Sequence, residues 1–202
     1  MTGPSQQPAD PTLTKLMFAG AGDDVRRAAV HEAGHALALA RRGIEVICVS
    51  IWDSGELLSH GRWEGRTDAG DHDLPTHEVM MLALAGIAAE KAVSALAKAD
   101  AEVARRFLEW IPSAAESDYV DAALIFWRDL LPGEDPPEGF LADPAVVEAI
   151  GSVWPEIVAE MTEQVDAVNE FADALLASGT RIVMPGDQAT ALASELTAPP
   201  VG

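Results

Sequence analysis

The run His31-Glu32-Ala33-Gly34-His35 sits in the middle of an Ala-rich, apolar-periodic stretch, and it constrains this chain more than any other feature. Residues four apart on a helix stack on one face, so a helix here brings two imidazoles together where they can hold one metal ion. Glu32 stands beside them, able to take a proton from a water held by that metal. HExxH patterns arise by chance, but a chance match has no reason to fall inside a continuous helical pattern rather than in a loop. The run therefore predicts a metal site on a helix.

The bulk properties narrow the setting. With 202 residues the chain is long enough for one domain with a proper core. Its Ala-rich, aromatic-poor composition favours helices over sheets. A formal charge of −20 argues against binding nucleic acid or anionic lipid, which need a basic surface. The single cysteine, Cys48, excludes an internal disulfide and suits a reducing compartment; it lies in a β-branched run and reads as a buried bystander. No stretch approaches the roughly 18 consecutive apolar residues of a membrane span. The polar, Pro-containing start has neither the basic nor the apolar region of a secretory signal, so residues 1–22 read as a disordered leader and the expected location is cytoplasmic.

Along the chain, Asp23-Asp24 offers an N-cap, and a helix runs to Arg42, with Gly43 as its stop. Ile44 to Trp52, apolar on both alternating faces, reads as a buried strand. Asp53-Ser54-Gly55 is a turn, and Leu57 to Glu64 a second, more polar strand suited to a sheet edge. Gly65 to Pro75 reads as a loop, and Thr76 opens a long helix to about Ala99. A helical piece over 100–111 precedes Pro112, and another helix runs from Ser113 to Leu131. After a Pro- and acid-rich loop, Asp143 caps a helix with Pro144 in its first position. Helical patterning then continues to Ala177, with a break or kink predicted at Trp154-Pro155, and Ser178-Gly179 ends it. Asp187 caps a short last helix, and the tail 197–202 is frayed. The expected fold is mainly α with a small antiparallel sheet over residues 23–196, and there is no internal repeat.

Two histidines do not complete a catalytic zinc site; a third protein ligand and an open position are needed. Candidates are Glu90, Asp118, Asp121 and the loop cluster Asp71, His72, Asp73 and His77. Ala29, Ala33, Gly34, Ala36 and Ala38 let another backbone approach the HExxH helix closely. Ala114-Ala115-Glu116-Ser117-Asp118, with Ala122 and Ala123, has a matching small surface, and so does Ala85-Gly86-Ile87-Ala88-Ala89-Glu90. Helix packing alone leaves Asp118 and Glu90 equal.

The stretch Asp24 to Leu37, containing His-Glu-Ala-Gly-His-Ala-Leu, resembles the opening of the peptidase domain of the FtsH-family ATP-dependent zinc proteases. The similarity continues in order. Glu45 to Trp52 resembles that family's first strand, Leu84-Ala-Gly-Ile-Ala-Ala-Glu90 its Leu-Gly-Gly-Arg-Ala-Ala-Glu helix, and Ser113-Ala-Ala-Glu-Ser-Asp118 its Gly-Ala-Ser-Asn-Asp segment. Ile157 to Gly186, with Asn169 and Ala174-Leu175-Leu176, resembles its long C-terminal helix and closing turn. The resemblance implies a zincin-type peptidase fold with one Zn²⁺ per chain. Carried over by position, His31, His35 and Asp118 are the zinc ligands and Glu32 the base, which leaves Glu90 as the alternative ligand.

Departures from the family pattern accompany it. Ala85 stands for a glycine, Ile87 for an arginine and Ser117 for an asparagine. No Gly-x-x-x-x-Gly-Lys-Ser/Thr loop occurs in the sequence, so the family's ATPase module and its membrane anchor are not expected here. The reading is a metalloendopeptidase acting on unfolded or flexible protein without ATP. Its rival is a non-catalytic relative that keeps the fold for binding, assembly or regulation; an intact Glu32 favours the enzyme, and the absent motor favours the rival. A zinc hydrolase acting on something other than peptides is a third, weaker reading.

Beyond a peptide substrate, the partners that fit are a second copy of the chain and a separate ATPase. Ser59, His60, Gly61, Arg62 and Trp63 are candidates for an edge strand that holds an extended peptide. Asp71, His72, Asp73 and His77 read as solvated loop polarity rather than a second metal site, since their spacing is irregular and no thiolate is present. The five tryptophans, at 52, 63, 110, 127 and 154, read as core or helix-contact residues.

Overall fold

Helix α1 (Asp24–Arg41) is buried along most of its circumference, with Ala29, Val30, Ala33, Ala36, Leu37 and Ala38 all inside. Small residues make this possible, because Ala and Gly let neighbouring backbones close in from several sides. The computed structural model describes residues 24–58, 61–93, 117–177 and 182–198. The helix ends in a Schellman motif: Gly43 adopts φ 69°, its N–H donates to the Ala40 carbonyl at 2.9 Å, and Ile44 N–H reaches the Leu39 carbonyl at 3.0 Å.

Two strands follow, β1 (Val46–Leu58) and β2 (Gly61–Ala69), and a third, β3 (Ile182–Pro185), completes an antiparallel sheet in the order β2-β1-β3. Helices α2 (Thr76–Val93) and α3 (Ser117–Leu130) come next in the described chain. A short 3₁₀ turn at Phe140–Ala142 leads into α4 (Pro144–Glu163), α5 (Val165–Leu176) and, after β3, α6 (Gly186–Thr197). Helix α1 is central, packing on α2, α5, α6 and one face of the sheet. The described residues are thus mainly helical with one small antiparallel sheet. No described helix is long and apolar enough to cross a membrane.

Several expectations need correction. The hairpin is longer than predicted: Asp53, Ser54 and Gly55 lie within β1, and residues 65–69, predicted as loop, belong to β2. Pairing of Val49 with Thr67 and Ile51 with Gly65 extends the ladder through polar residues that side-chain pattern alone does not mark as a strand. Nor is β1 buried on both faces. Val46, Val49 and Ile51 face the helices with Met184, whereas Ile47 is 53% and Trp52 40% exposed on the side that the described helices leave uncovered. Cys48, on this strand, is half-buried rather than fully inside. Trp127 and Trp154 are core residues and Trp63 is half-buried, so Trp52 alone of the described tryptophans departs from the expected role.

Helix α4 begins as predicted, with the Asp143 carboxylate accepting from Ala145 N–H at 2.8 Å and Pro144 in the first turn. It does not break at Pro155. That ring is solvent-facing, as is Gly151 one turn earlier, so the Gly151 carbonyl that loses its partner is open to water. The break falls instead at Gln164, with φ −104° and ψ 16°. Asp187 does not cap α6 but sits in its first turn, with Pro185 at the cap position. The strand β3 is a feature the sequence reading did not include. The leader over 1–22, the helical piece over 100–111, Trp110, the stretch 113–116, Ser59, His60, Ser178-Gly179 and the last residues of the tail lie outside the described residues.

Candidate metal centre

The i, i+4 spacing does in α1 what helix geometry requires: His31 and His35 stand one above the other, ring centroids 5.0 Å apart. Asp118, in the first turn of α3, meets them. Its Oδ2 lies 3.2 Å from His31 Nε2 and 3.4 Å from His35 Nε2, and the two Nε2 atoms are 3.3 Å apart. The outer nitrogens are committed elsewhere. His35 Nδ1 is 2.9 Å from the Leu82 carbonyl, which can only accept, so Nδ1 carries the proton and Nε2 presents a lone pair. His31 Nδ1 donates to Glu90 Oε1 at 2.7 Å. With both imidazoles neutral, three acceptor atoms therefore converge on one point.

That triangle fits a tetrahedral zinc. Ligand bonds of about 2.0–2.1 Å at the tetrahedral angle put donor atoms about 3.3 Å apart. Asp118 Oδ2 is also buried without a hydrogen-bond partner, an orphaned acceptor aimed at the shared point. Among the described residues this is the one trio of potential ligands whose atoms all lie within 4.8 Å of one another.

The electrostatics agree with the geometry. Burial penalises the charged form of each imidazole, but the Asp118 carboxylate outweighs it, and both histidines hold a proton more tightly than usual, His31 the more so, with help from Glu90. Burial pushes the Asp118 carboxyl up, yet the two histidines overcome this and hold it well below the usual carboxylate range. In short, the pocket is built to attract positive charge.

Glu32 is buried one step from His31, where burial raises its proton affinity despite the neighbouring histidines and the Thr67 hydroxyl, which donates to Oε2 at 2.7 Å. Gly65 on β2 supplies the room: a Cβ there would stand 2.4 Å from Glu32 Oε1. Gly86 on α2 does the same for the imidazoles, since its Cβ would lie 2.5 Å from His31 Nε2 and 2.6 Å from His35 Nε2. Gly34 lets α1 and α2 approach so closely that a Cβ would meet the Ala85 carbonyl at 2.5 Å.

His31, Glu32, His35 and Asp118 open onto one cleft of about 520 Å³. Gly65, Arg66 and Thr67 of β2 form one wall, and Leu39, Val79, Leu82, Ala83, Leu124 and Ile125 an apolar one. Of the predicted peptide-holding edge, Gly61, Arg62 and Trp63 open β2, the outer strand of the sheet. Gly65, Arg66, Thr67 and Ala69 of that strand line this cleft, and Trp63 and Glu64 line an adjoining one of about 290 Å³ that also reaches His31 and Glu32.

Both acids left open by helix packing are at the site, on opposite sides of His31. Asp118 joins the Nε2 atoms, whereas Glu90 touches Nδ1 and also accepts from Arg27 Nη1 at 3.0 Å. Asp121 lines the cleft without joining the trio, and no three of Asp71, His72, Asp73 and His77 converge; His77 instead pairs with Glu156 at 3.2 Å. Sequence reasoning missed Arg27, Thr67, Gly65 and Gly86. Arg27 had a signal, since it lies one turn before His31 on the same helix face. A scan against models of protein families matched none, and a search of curated proteins returned no match.

Proposed function

We propose that this chain is a zinc-dependent endopeptidase-like domain, related to the peptidase domain of the FtsH family, that hydrolyses peptide bonds in unfolded or flexible protein. The observation that carries the reading is the convergence of His31 Nε2, His35 Nε2 and Asp118 Oδ2 at 3.2–3.4 Å beside a buried Glu32. The family resemblance is supported by the order of its landmarks along the chain: the HExxH helix, a strand, the Ala- and Gly-rich helix and the acid at 118.

His31, His35 and Asp118 would hold the metal, and two imidazoles with one carboxylate suit zinc. Zinc bound there supplies a Lewis acid for a peptide carbonyl and lowers the pKa of bound water to about 7. Glu32 accepts a proton from the attacking water and delivers it to the departing amine, a role suited to a carboxylate whose proton affinity is raised by burial. Thr67 orients Glu32 through its hydroxyl. Among the described residues the outer edge of β2 has no strand partner in the sheet order, so an extended peptide can add there and lie along the cleft wall.

The deciding experiment compares wild type, His35→Ala and Glu32→Gln for zinc content and for cleavage of casein. Wild type should carry about one zinc and cleave. His35→Ala should lose the metal. Glu32→Gln should keep both zinc and fold while hydrolysis falls on the order of 10²–10⁴-fold. Equal zinc in wild type and His35→Ala would remove the metal assignment. Zinc without cleavage above the Glu32→Gln background would favour a retained fold used for binding or assembly.

A further inference from the structure

Arg27 is buried on α1, one turn before His31, with only 7% of its side chain exposed. A guanidinium in such a place is costly unless its donors are matched. Nη1 donates to Glu90 Oε1 at 3.0 Å and Nη2 to the Trp63 carbonyl at 3.1 Å. The same Glu90 oxygen accepts from His31 Nδ1 at 2.7 Å. One cation thus holds an acid of α2 against a histidine of α1 and, with its other arm, grips the backbone of β2. The chain of contacts runs from the outer strand through Arg27 and Glu90 to the histidine that faces Asp118.

We infer that Arg27 is a positioning residue for the metal centre: its planar fork locks Glu90 onto His31 Nδ1 and fixes β2 against that pair. The inference rests on the metal assignment proposed above. Two physical consequences support it. Glu90 Oε1 takes up His31 Nδ1 at 2.7 Å while it accepts from Arg27 Nη1, which leaves His31 Nε2 as the ring nitrogen that faces His35 and Asp118. A carboxylate held by Arg27, which is itself anchored on the Trp63 carbonyl of β2, also has little freedom to turn, which fixes the imidazole plane. Lysine cannot substitute, because a single ammonium lacks the fork that spans a carboxylate and a carbonyl at once.

The test measures zinc affinity by competition with a chromophoric chelator, and the visible spectrum of the cobalt-substituted protein. The proteins compared are wild type, Arg27→Met, Arg27→Lys, Glu90→Gln and the double variant Arg27→Met/Glu90→Gln; the melting temperature of each metal-free protein is recorded alongside. Arg27→Met should weaken zinc about tenfold or more, within the range usual for residues behind a metal ligand, and should change the cobalt spectrum. Arg27→Lys, which keeps the charge and so protects the fold, should also bind zinc more weakly than wild type. Adding Arg27→Met to Glu90→Gln should cost far less than it does alone, because Arg27 acts through Glu90. Wild-type zinc affinity in a folded Arg27→Met or in Arg27→Lys overturns the inference. So does strict additivity in the double variant, or a lowered melting temperature with unchanged affinity and spectrum, the mark of a merely structural arginine. If His31→Ala binds zinc as well as wild type, the metal assignment itself fails, a result distinct from any of these.

Discussion

Gly86 shows how a single missing atom can decide the chemistry of a site. A methyl at this position would lie 2.5–2.6 Å from both Nε2 atoms, closer than real Cβ contacts allow. Since Gly86 lies inside α2, Ala is otherwise a favourable helix residue there. Gly86→Ala should therefore keep its helical content yet lose zinc, read by elemental analysis beside circular dichroism; full zinc retention would mean that the imidazoles have another way to stand. His31, Glu32, His35 and Asp118 were legible because their chemistry is carried by residue type at fixed helical spacing, and by landmarks in a recognisable order. Thr67 and Gly65 were not, since each acts across elements, and Arg27 left only the sign of its spacing from His31. Thr67 reaches Glu32 only because the hairpin register brings β2 over α1, and Gly65 matters only for what it leaves out. Helix packing could not separate Asp118 from Glu90 because both do pack at the site, one on each side of the same imidazole.

At the scale of elements, the α1–α2 contact is the one that the site depends on. Gly34 faces the Ala85 carbonyl and the Ala89 methyl, 2.5 and 2.6 Å from where a Cβ would be, so a substituent must push backbone rather than a flexible side chain. Gly34→Ala should lower stability by about 1–3 kcal/mol, measured by urea denaturation. Gly151→Ala, on the exposed side of α4 with nothing within 4 Å, is the contrasting case, and should raise it by about 0.5–1 kcal/mol. If both changes destabilise alike, close approach is not what Gly34 serves. The helices were readable in the sequence because their apolar period and end signals are local: Gly43 stops α1, and Asp143-Pro144 starts α4. The sheet was less so. Asp53-Ser54-Gly55 carries turn chemistry but lies in β1, since Asp53 pairs with Trp63 and the ladder overrides the local preference. Four-residue β3 has too little pattern to announce itself, and it exists because Met184 pairs with Val49 under the helices. At Pro155 a strong local breaker yields to a solvent-facing position, and the chain turns instead at Gln164.

At the scale of the whole molecule, access to the site sets what it can act on. The side chains of His31, His35 and Asp118 are 15%, 18% and 9% exposed, at the base of a cleft walled by β2 on one side and apolar helix residues on the other. On the proposed reading, a peptide bond reaches them only from a chain that is already extended, since a stability of about 5–15 kcal/mol keeps the backbone of a folded globular protein from entering. The sequence has no Gly-x-x-x-x-Gly-Lys-Ser/Thr loop to cradle phosphate, so on the proposed reading cleavage draws nothing from nucleotide by that route. The charge of −20 works in the same direction at low salt, repelling acidic substrates and a second copy of the chain, and screening weakens that repulsion as salt rises. Cleavage of casein should accordingly be unchanged by added ATP, should increase with moderate salt, and should be absent for a stably folded reporter until that reporter carries a disordered tail. Degradation of the untailed reporter by purified protein alone would show that the cleft opens further than its walls suggest, and would overturn this view of its substrate range.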